Sequence, residues 1–506
     1  MSATGARWIG SFLFMTRSHA GTLASASNRY ALLLAAALAG LLAFRLFALS
    51  LNQTDLFFDE AQYWAWSQEL ALGYFSKPPL IAWIIRLTTD ICGSGEFCVR
   101  MASPILYTGA AVFIYLAGTK LYDAATGFWS AVIFVTVPGI SFSASIISTD
   151  VPLILCWCAA LLAWIKLQET RKAGWAVALG LALGLGLLAK YAMIYFVLCA
   201  GLYLIAAPEA RWMLRDASSL LVILIAGLLI APNLIWNADV GWITLSHTAA
   251  NAKWAGNLFK PLKMLEFLGA QFGVFGPILF GVLIWIALRA AREPASPPDR
   301  MLLYFSIPVI AIITLQALIS RAHANWAAAA YPAATILVTA TLLRLDFKWL
   351  FRAALGLHLV VLVLLGAANT VAPILVLPGQ ADPYARVLGW QDVANLVREA
   401  LKANPYGTVL TEDRLVTAEL LYYLRDEPAP ILAWRPGEVP RDHFELTRPF
   451  GAQAGQPVLL VTLRPTADHV TDEFESVEPL GEFQVQAGPK SSRTVRLFAL
   501  NGYSRK

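Results

Sequence analysis

The sequence predicts an all-α polytopic membrane domain followed by a small α/β domain, on three observations. Apolar runs near the length of a bilayer crossing, about 20 residues, recur from residue 30 to residue 376. Charged residues make up only 14% of the 506-residue chain, against about 25% in a soluble globular protein. From residue 377 onward charge and proline rise, and helical and strand-like patterns alternate, as a small α/β layer requires.

Judged by length against the hydrocarbon thickness, the runs place about eleven spans, at 30–50, 99–121, 128–147, 151–167, 175–188, 191–207, 220–235, 264–288, 302–319, 326–343 and 351–374. Residues 175–207 suit one long helix or two short ones. Residues 31–44 resemble a signal-peptide core, but no small-residue cleavage site follows, so they are read as an uncleaved first span. In the tail, 390–401 and 417–424 read as helices, and 408–410, 457–462 and 494–498 as strands.

Basic residues collect in alternate loops: Lys120; Lys166, Arg171 and Lys172; Arg211 and Arg215; Arg289, Arg292 and Arg300; Arg344, Lys348 and Arg352. Cytoplasmic loops carry this excess, which makes 1–29 a cytoplasmic segment and 30–376 the membrane body. The large first loop, 51–98, and the 377–506 domain then lie on the outer face of the membrane. The net charge of +5 includes no basic run interleaved with aromatics, so nothing suggests nucleic acid. Cys156, Cys158 and Cys199 sit in apolar runs, whereas Cys92 and Cys98 flank Gly93, Ser94 and Gly95 in the outer loop. A disulfide there and two free thiols are equally compatible with the sequence. Six histidines without ligand spacing argue against a built-in zinc site. No cofactor is expected, and a divalent-metal requirement is left open.

Several candidate residues gather on the outer face. Asp59-Glu60 follows the first span, where carboxylates are costly unless solvated or paired; the bland alternative is two loop acids facing water. Tyr63, Trp64, Trp66, Tyr74, Phe75 and Trp83 surround them, and residues 80–87 form an apolar segment short enough to lie in the interface. Lys77 precedes Pro78-Pro79, which fix backbone direction. Asp150, in Ser148-Thr149-Asp150-Val151-Pro152, is either a helix cap or part of one site with Asp59. Lys190 either snorkels or binds phosphate. The loop at 236–263, with Asn237, His247, Asn251, Lys253, Lys260 and Lys263, faces anionic headgroups or an anionic substrate. Arg321 belongs to an interfacial belt or to a wall of the site. Arg45, within the first span, is expected to snorkel.

On these residues the chain resembles the membrane-embedded glycosyltransferases of the GT-C fold, which use polyprenyl-phosphate sugars. It is most similar to the bacterial branch related to protein O-mannosyltransferases and lipid A aminoarabinose transferases. The resemblance covers nearly the whole membrane body and is best from residue 57 to residue 164. It implies that Asp59 is the catalytic carboxylate and that Lys77 contacts the donor phosphate. Asp150 matches a second acidic position in the same cavity, a second catalytic acid, and Tyr63 and Tyr74 match further cavity residues; beside the resemblance, Glu60, Lys190 and Arg321 are expected to join Tyr63 and Tyr74 in binding substrate. Gln62 stands where aminoarabinose transferases have Arg, and Ser76 replaces an acidic residue. The wording Asp-Glu-Ala-Gln-Tyr and Ser-Lys-Pro-Pro-Leu is more similar to the branch that moves galacturonic acid onto lipopolysaccharide core or lipid A. The expected partners are a polyprenyl-phosphate sugar donor, an envelope glycolipid acceptor and membrane lipids, and the expected reaction is inverting transfer. A flippase for the same lipid carrier is the main alternative, since many spans with charges near one face suit that role too. A binding or assembly protein with a decayed site is a third.

Overall fold

The computed structural model describes residues 5–251, 258–379 and 381–504. Residues 1–4 of the expected N-terminal segment and Lys253 of the expected basic loop lie outside them. The chain is a multi-pass membrane protein. Among the described residues seven helices are long and apolar enough to cross a bilayer, or up to nine if each of two bent pairs is one span. That falls short of the expected eleven. Two further expected spans coincide with apolar helices that are shorter, Ala124–Thr136 and Ala173–Ala189.

Burial separates the body into centre and periphery. The apolar windows of Asp150–Thr170 and Ala324–Arg344 are each 83% buried within the protein, whereas those of Asn28–Ser50 and Lys348–Thr370 are 22% buried. Peripheral helices can leave their apolar sides uncovered because lipid is as apolar as leucine. Small residues set the closest approach. A Cβ on Gly180 would lie 2.8 Å from the Ile225 side chain, and one on Gly184 2.6 Å from Leu229. This small-xxx-small spacing lets Ala173–Ala189 press against Ala217–Asp239.

The ambiguous stretch at 175–207 resolves into two helices. Lys190 has extended backbone, φ −162° and ψ 133°, and ends Ala173–Ala189 before a 3-10 turn at Tyr191–Met193 leads into Ile194–Ala206. The break leaves Lys190 free to reach the start of Asp150–Thr170. A similar bend of 118° separates Pro261–Val274 from Pro277–Ala290, where Gly276 takes a φ of +91° and Pro277 restarts the helix. Arg45 does not snorkel. It is 6% exposed and donates to the Val135 carbonyl.

After the first span come two short helices, Phe58–Gln68 and Leu80–Cys92. The second buries Ile81, Ala82 and Ile85 and leaves Leu87 and Ile91 exposed, the one-sided apolar pattern of a surface helix. Cys92 and Cys98 form a disulfide.

The tail carries five strands, β1 (Thr408–Thr411), β2 (Ile431–Ala433), β3 (Val458–Thr462), β4 (Phe474–Gln486) and β5 (Ser492–Tyr503), in the order β2-β1-β3-β5-β4. β1 runs parallel to β2 and β3, and β5 is antiparallel to both β3 and β4. Helices Trp390–Ala403 and Arg414–Tyr423 cover one face. Their core is continuous with that of the first loop: Trp390, Val416, Leu420, Tyr422 and Tyr423 pack with Leu56, Trp64, Trp66, Ile81 and Ile85. Backbone groups lock the joint. The Trp390 amide donates to Asp55 Oδ2 at 2.7 Å, and the Leu56 amide donates to the Tyr423 hydroxyl at 2.9 Å.

Glu419 is fully buried at this joint, and neither carboxylate oxygen has a hydrogen-bond partner among the described residues. Burial pushes its carboxyl well above the usual range, and Asp55 and Glu60 push it further. The folded state therefore holds a proton that the unfolded chain releases, and stability falls as pH rises above the ordinary carboxyl value of 4.5. Glu419→Gln removes that dependence. Melting of the purified protein in detergent should show the variant gaining more over wild type at pH 8 than at pH 5.

Candidate active site

The Phe58–Gln68 helix starts from an extended Phe57, and its third residue, Glu60, accepts the Phe57 amide at 2.9 Å. This half of a capping box fixes the helix start and leaves Asp59, one residue earlier, beside the positive end of the helix. Glu60 is 2% exposed and is gripped by Arg100, with Nη2 to Oε2 at 2.7 Å and Nε to Oε1 at 3.0 Å. Its Oε1 also accepts the Ile147 amide at 2.8 Å. Arg100 in turn donates to the Thr54 and Asp55 carbonyls. Glu60, expected to bind substrate, is here engaged by protein groups. It ties the segment bearing Asp59 to the one that leads into Asp150.

Asp150 opens the Asp150–Thr170 helix but does not cap it. Its Oδ1 receives Lys190 Nζ at 2.6 Å, and its Oδ2 receives Asn325 Nδ2 at 2.6 Å. The two ligands come from the break at residue 190 and from the 3-10 turn Ala324–Ala330. Asp59 has a different partner, Arg414 of the tail, whose Nη1 lies 3.1 Å from Oδ1. The same Nη1 lies 2.8 Å from Gln62 Oε1.

Lys77 lies near enough to both carboxylates to feel their charge. A turn in which the Tyr74 amide donates to the Lys77 carbonyl at 3.1 Å holds its backbone. Among the described residues its ammonium has no hydrogen-bond or ion-pair partner. Partial burial lowers its pKa to about 8, with Lys190 and then Arg414 adding to the fall, while Asp150 and Asp59 oppose it. All four charges are therefore close enough to act on one ammonium. Tyr63 shares the cluster: burial raises its hydroxyl pKa well above the ordinary value, and Asp59 and then Asp150 raise it further, against Arg414.

Tyr74 is elsewhere. Its ring stacks on Trp66 at 4.5 Å, and its hydroxyl donates to the Trp66 carbonyl at 2.9 Å while accepting the Ala71 amide. It is 1% exposed, and these contacts brace the loop. His443 from the tail abuts both rings edge-on, at 5.3 and 5.6 Å. Arg321 has a buried Nε without a partner among the described residues. It is near enough to His323 to depress that imidazole, after burial and ahead of Lys190. Arg321 thus borders the Lys190 side of the cluster.

Sequence reasoning gave His247 no particular role. It packs edge-on against Phe75 at 5.3 Å, and burial followed by Lys77 and Arg414 lowers its pKa. Arg414 itself was missed. The one local signal is an arginine in the first turn of a helix, against the dipole, a broken rule of the kind functional sites carry. Among the described residues no three His, Cys, Asp or Glu side chains group as metal ligands.

Residues 76–236 match the dolichyl-phosphate-mannose-protein mannosyltransferase family. The lipid A galacturonosyltransferase RgtD of Rhizobium johnstonii is 34% identical over 465 residues, covering 91% of this chain and 96% of that one. The chain belongs to the GT-C glycosyltransferases, near the lipopolysaccharide galacturonosyltransferase branch. The lipopolysaccharide core galacturonosyltransferase RgtA of the same organism is 28% identical over 51% of this transferase and 54% of its own length. ArnT from Cupriavidus metallidurans, solved with undecaprenyl phosphate, shares the fold with a TM-score of 0.68 at 16% identity, covering 92% of this chain and 97% of that one. Nothing among these relatives favours the transporter alternative.

The geometry separates two carboxylates that are adjacent in sequence. Replacing Glu60 by Gln, or Arg100 by Ala, leaves a buried charge unpaired and should cost about 3–5 kcal/mol, seen as lost abundance or a lower melting temperature. Asp59→Asn, at a half-exposed position, should leave both near wild type.

Proposed function

We propose that this glycosyltransferase moves galacturonic acid from a polyprenyl phosphate donor onto a lipid A or lipopolysaccharide-core acceptor. The reaction takes place at the periplasmic face of the inner membrane, with the N-terminus cytoplasmic and the tail domain periplasmic. The observation that carries the chemistry is Lys77, an ammonium with no partner among the described residues that feels the charges of both Asp59 and Asp150. The sugar and the acceptor rest on kinship with a lipid A galacturonosyltransferase along nearly the whole chain.

A single displacement accounts for the residues. An acceptor hydroxyl attacks the anomeric carbon from the face opposite the phosphate. The bond between that carbon and the phosphate oxygen breaks, its electron pair leaves with polyprenyl phosphate, and the configuration inverts. Lys77, backed by Lys190 and Arg321, meets the charge that grows on the departing phosphate. Asp59 takes the acceptor proton through Oδ2, because Oδ1 is already held by Arg414. Asp150 holds Lys190 and Asn325 in place around the leaving group. Tyr63 offers its hydroxyl to the sugar. The protein's own cations handle the phosphate charge, so this scheme calls on no cofactor.

Mass spectrometry of lipid A and core with and without the gene should show the loss of one uronic acid; unchanged glycolipids would overturn the assignment. In membranes supplied with donor and acceptor, Asp59→Asn should lose about 10²–10⁴-fold in rate. Lys77→Ala should lose about 10²–10³-fold, and full activity in either variant rejects the mechanism.

The lysine also sets a pH dependence. With a pKa lowered to about 8, Lys77 is cationic below that pH and loses its charge as pH rises through it. kcat/KM for the donor, which reports on the free enzyme, should fall above pH 8. Lys77→Arg should flatten that limb.

A further inference from the structure

Arg414 comes from the tail domain yet points into the membrane body's cluster. Only Nη1 of its guanidinium is occupied, by Asp59 Oδ1 and Gln62 Oε1. Among the described residues Nε and Nη2 have no acceptor. The plane is held over the Phe58 ring, 4.7 Å from its centroid, which orders it before any ligand arrives. Gln62 is 1% exposed, and with its oxygen on Arg414 its amide nitrogen is left without an acceptor among the described residues. One arginine edge and one amide nitrogen, both unspent, thus lie beside Asp59 and within reach of the field at Lys77.

A uronic acid donor brings a problem that a neutral sugar does not. Its carboxylate must enter a site that already contains Asp59 and Asp150. Lys190, paired with Asp150, and Lys77 both serve the phosphate in the reaction proposed above. Arginine can join two carboxylates because its five donors lie in one plane. From these observations, and resting on the galacturonosyl assignment, we infer that Arg414 and Gln62 form the subsite for the carboxylate of the donor sugar. Arg414 bridges that carboxylate to Asp59, so selection of the sugar and placement of the catalytic carboxylate share one side chain. Because the arginine belongs to the tail, the domain supplies part of the donor site.

The test compares polyprenyl-phosphate galacturonic acid with polyprenyl-phosphate galactose, which carries a hydroxymethyl group in place of the carboxylate. Wild type should prefer the uronate. In Arg414→Gln, which can still donate to Asp59, the ratio of kcat/KM for uronate over galactose should fall about 30-fold or more. Arg414→Lys keeps the charge without the planar fork and should retain only part of the preference. Equal losses on both donors would show that Arg414 acts solely through Asp59 or through docking of the tail, and would overturn the inference. A melting temperature at the wild-type value confirms that the tail remains docked. Wild type that transfers galactose but not the uronate would instead reject the sugar assignment, and the subsite with it.

Discussion

The buried pair of Glu60 and Arg100 is the constraint on which the rest of the site depends. Both side chains are almost completely shielded from solvent, and a lone charge there would be strongly destabilising. The pair is tolerated because every oxygen of Glu60 has a donor, including the Phe57 and Ile147 amides. Those two amides belong to the segments carrying Asp59 and Asp150. One carboxylate thereby ties together the segments that carry two others.

The tail domain closes the arrangement from the other side. It contributes hydrophobic packing against the first loop, the edge-on contact of His443 with Trp66 and Tyr74, and the arginine on Asp59. An ion pair also joins Arg448 to Glu69. Ordering the first loop so that Asp59 and Lys77 stay in register costs conformational entropy at every residue. Shared burial with a folded domain offsets that cost, which explains why the site's elements come from widely separated parts of the chain.

Charge balance gives the cluster its character. Asp150 is neutralised by Lys190 and Asp59 by Arg414, so the two acids do not hold Lys77 directly. Among the described residues Lys77 therefore keeps an ammonium without a partner and a depressed pKa.

The membrane body and the presence of an α/β tail were legible in the sequence, because apolar length and charge placement are local properties. Asp59, Lys77, Asp150 and Lys190 were legible for the same reason: a charge between apolar runs stands out. Strand β4 was not, since Pro479, Gly481 and three glutamates disguise a strand that pairs on one side only, and β2 has just three residues. The span count also strayed, because short and bent helices are set by their neighbours' packing. Above all, the sequence by itself put Glu60 and Tyr74 beside Asp59 and Lys77, and left Arg414 among many tail arginines. Only the tertiary structure turned the first two inward and brought the last across, because burial and pairing depend on what each side chain meets in space.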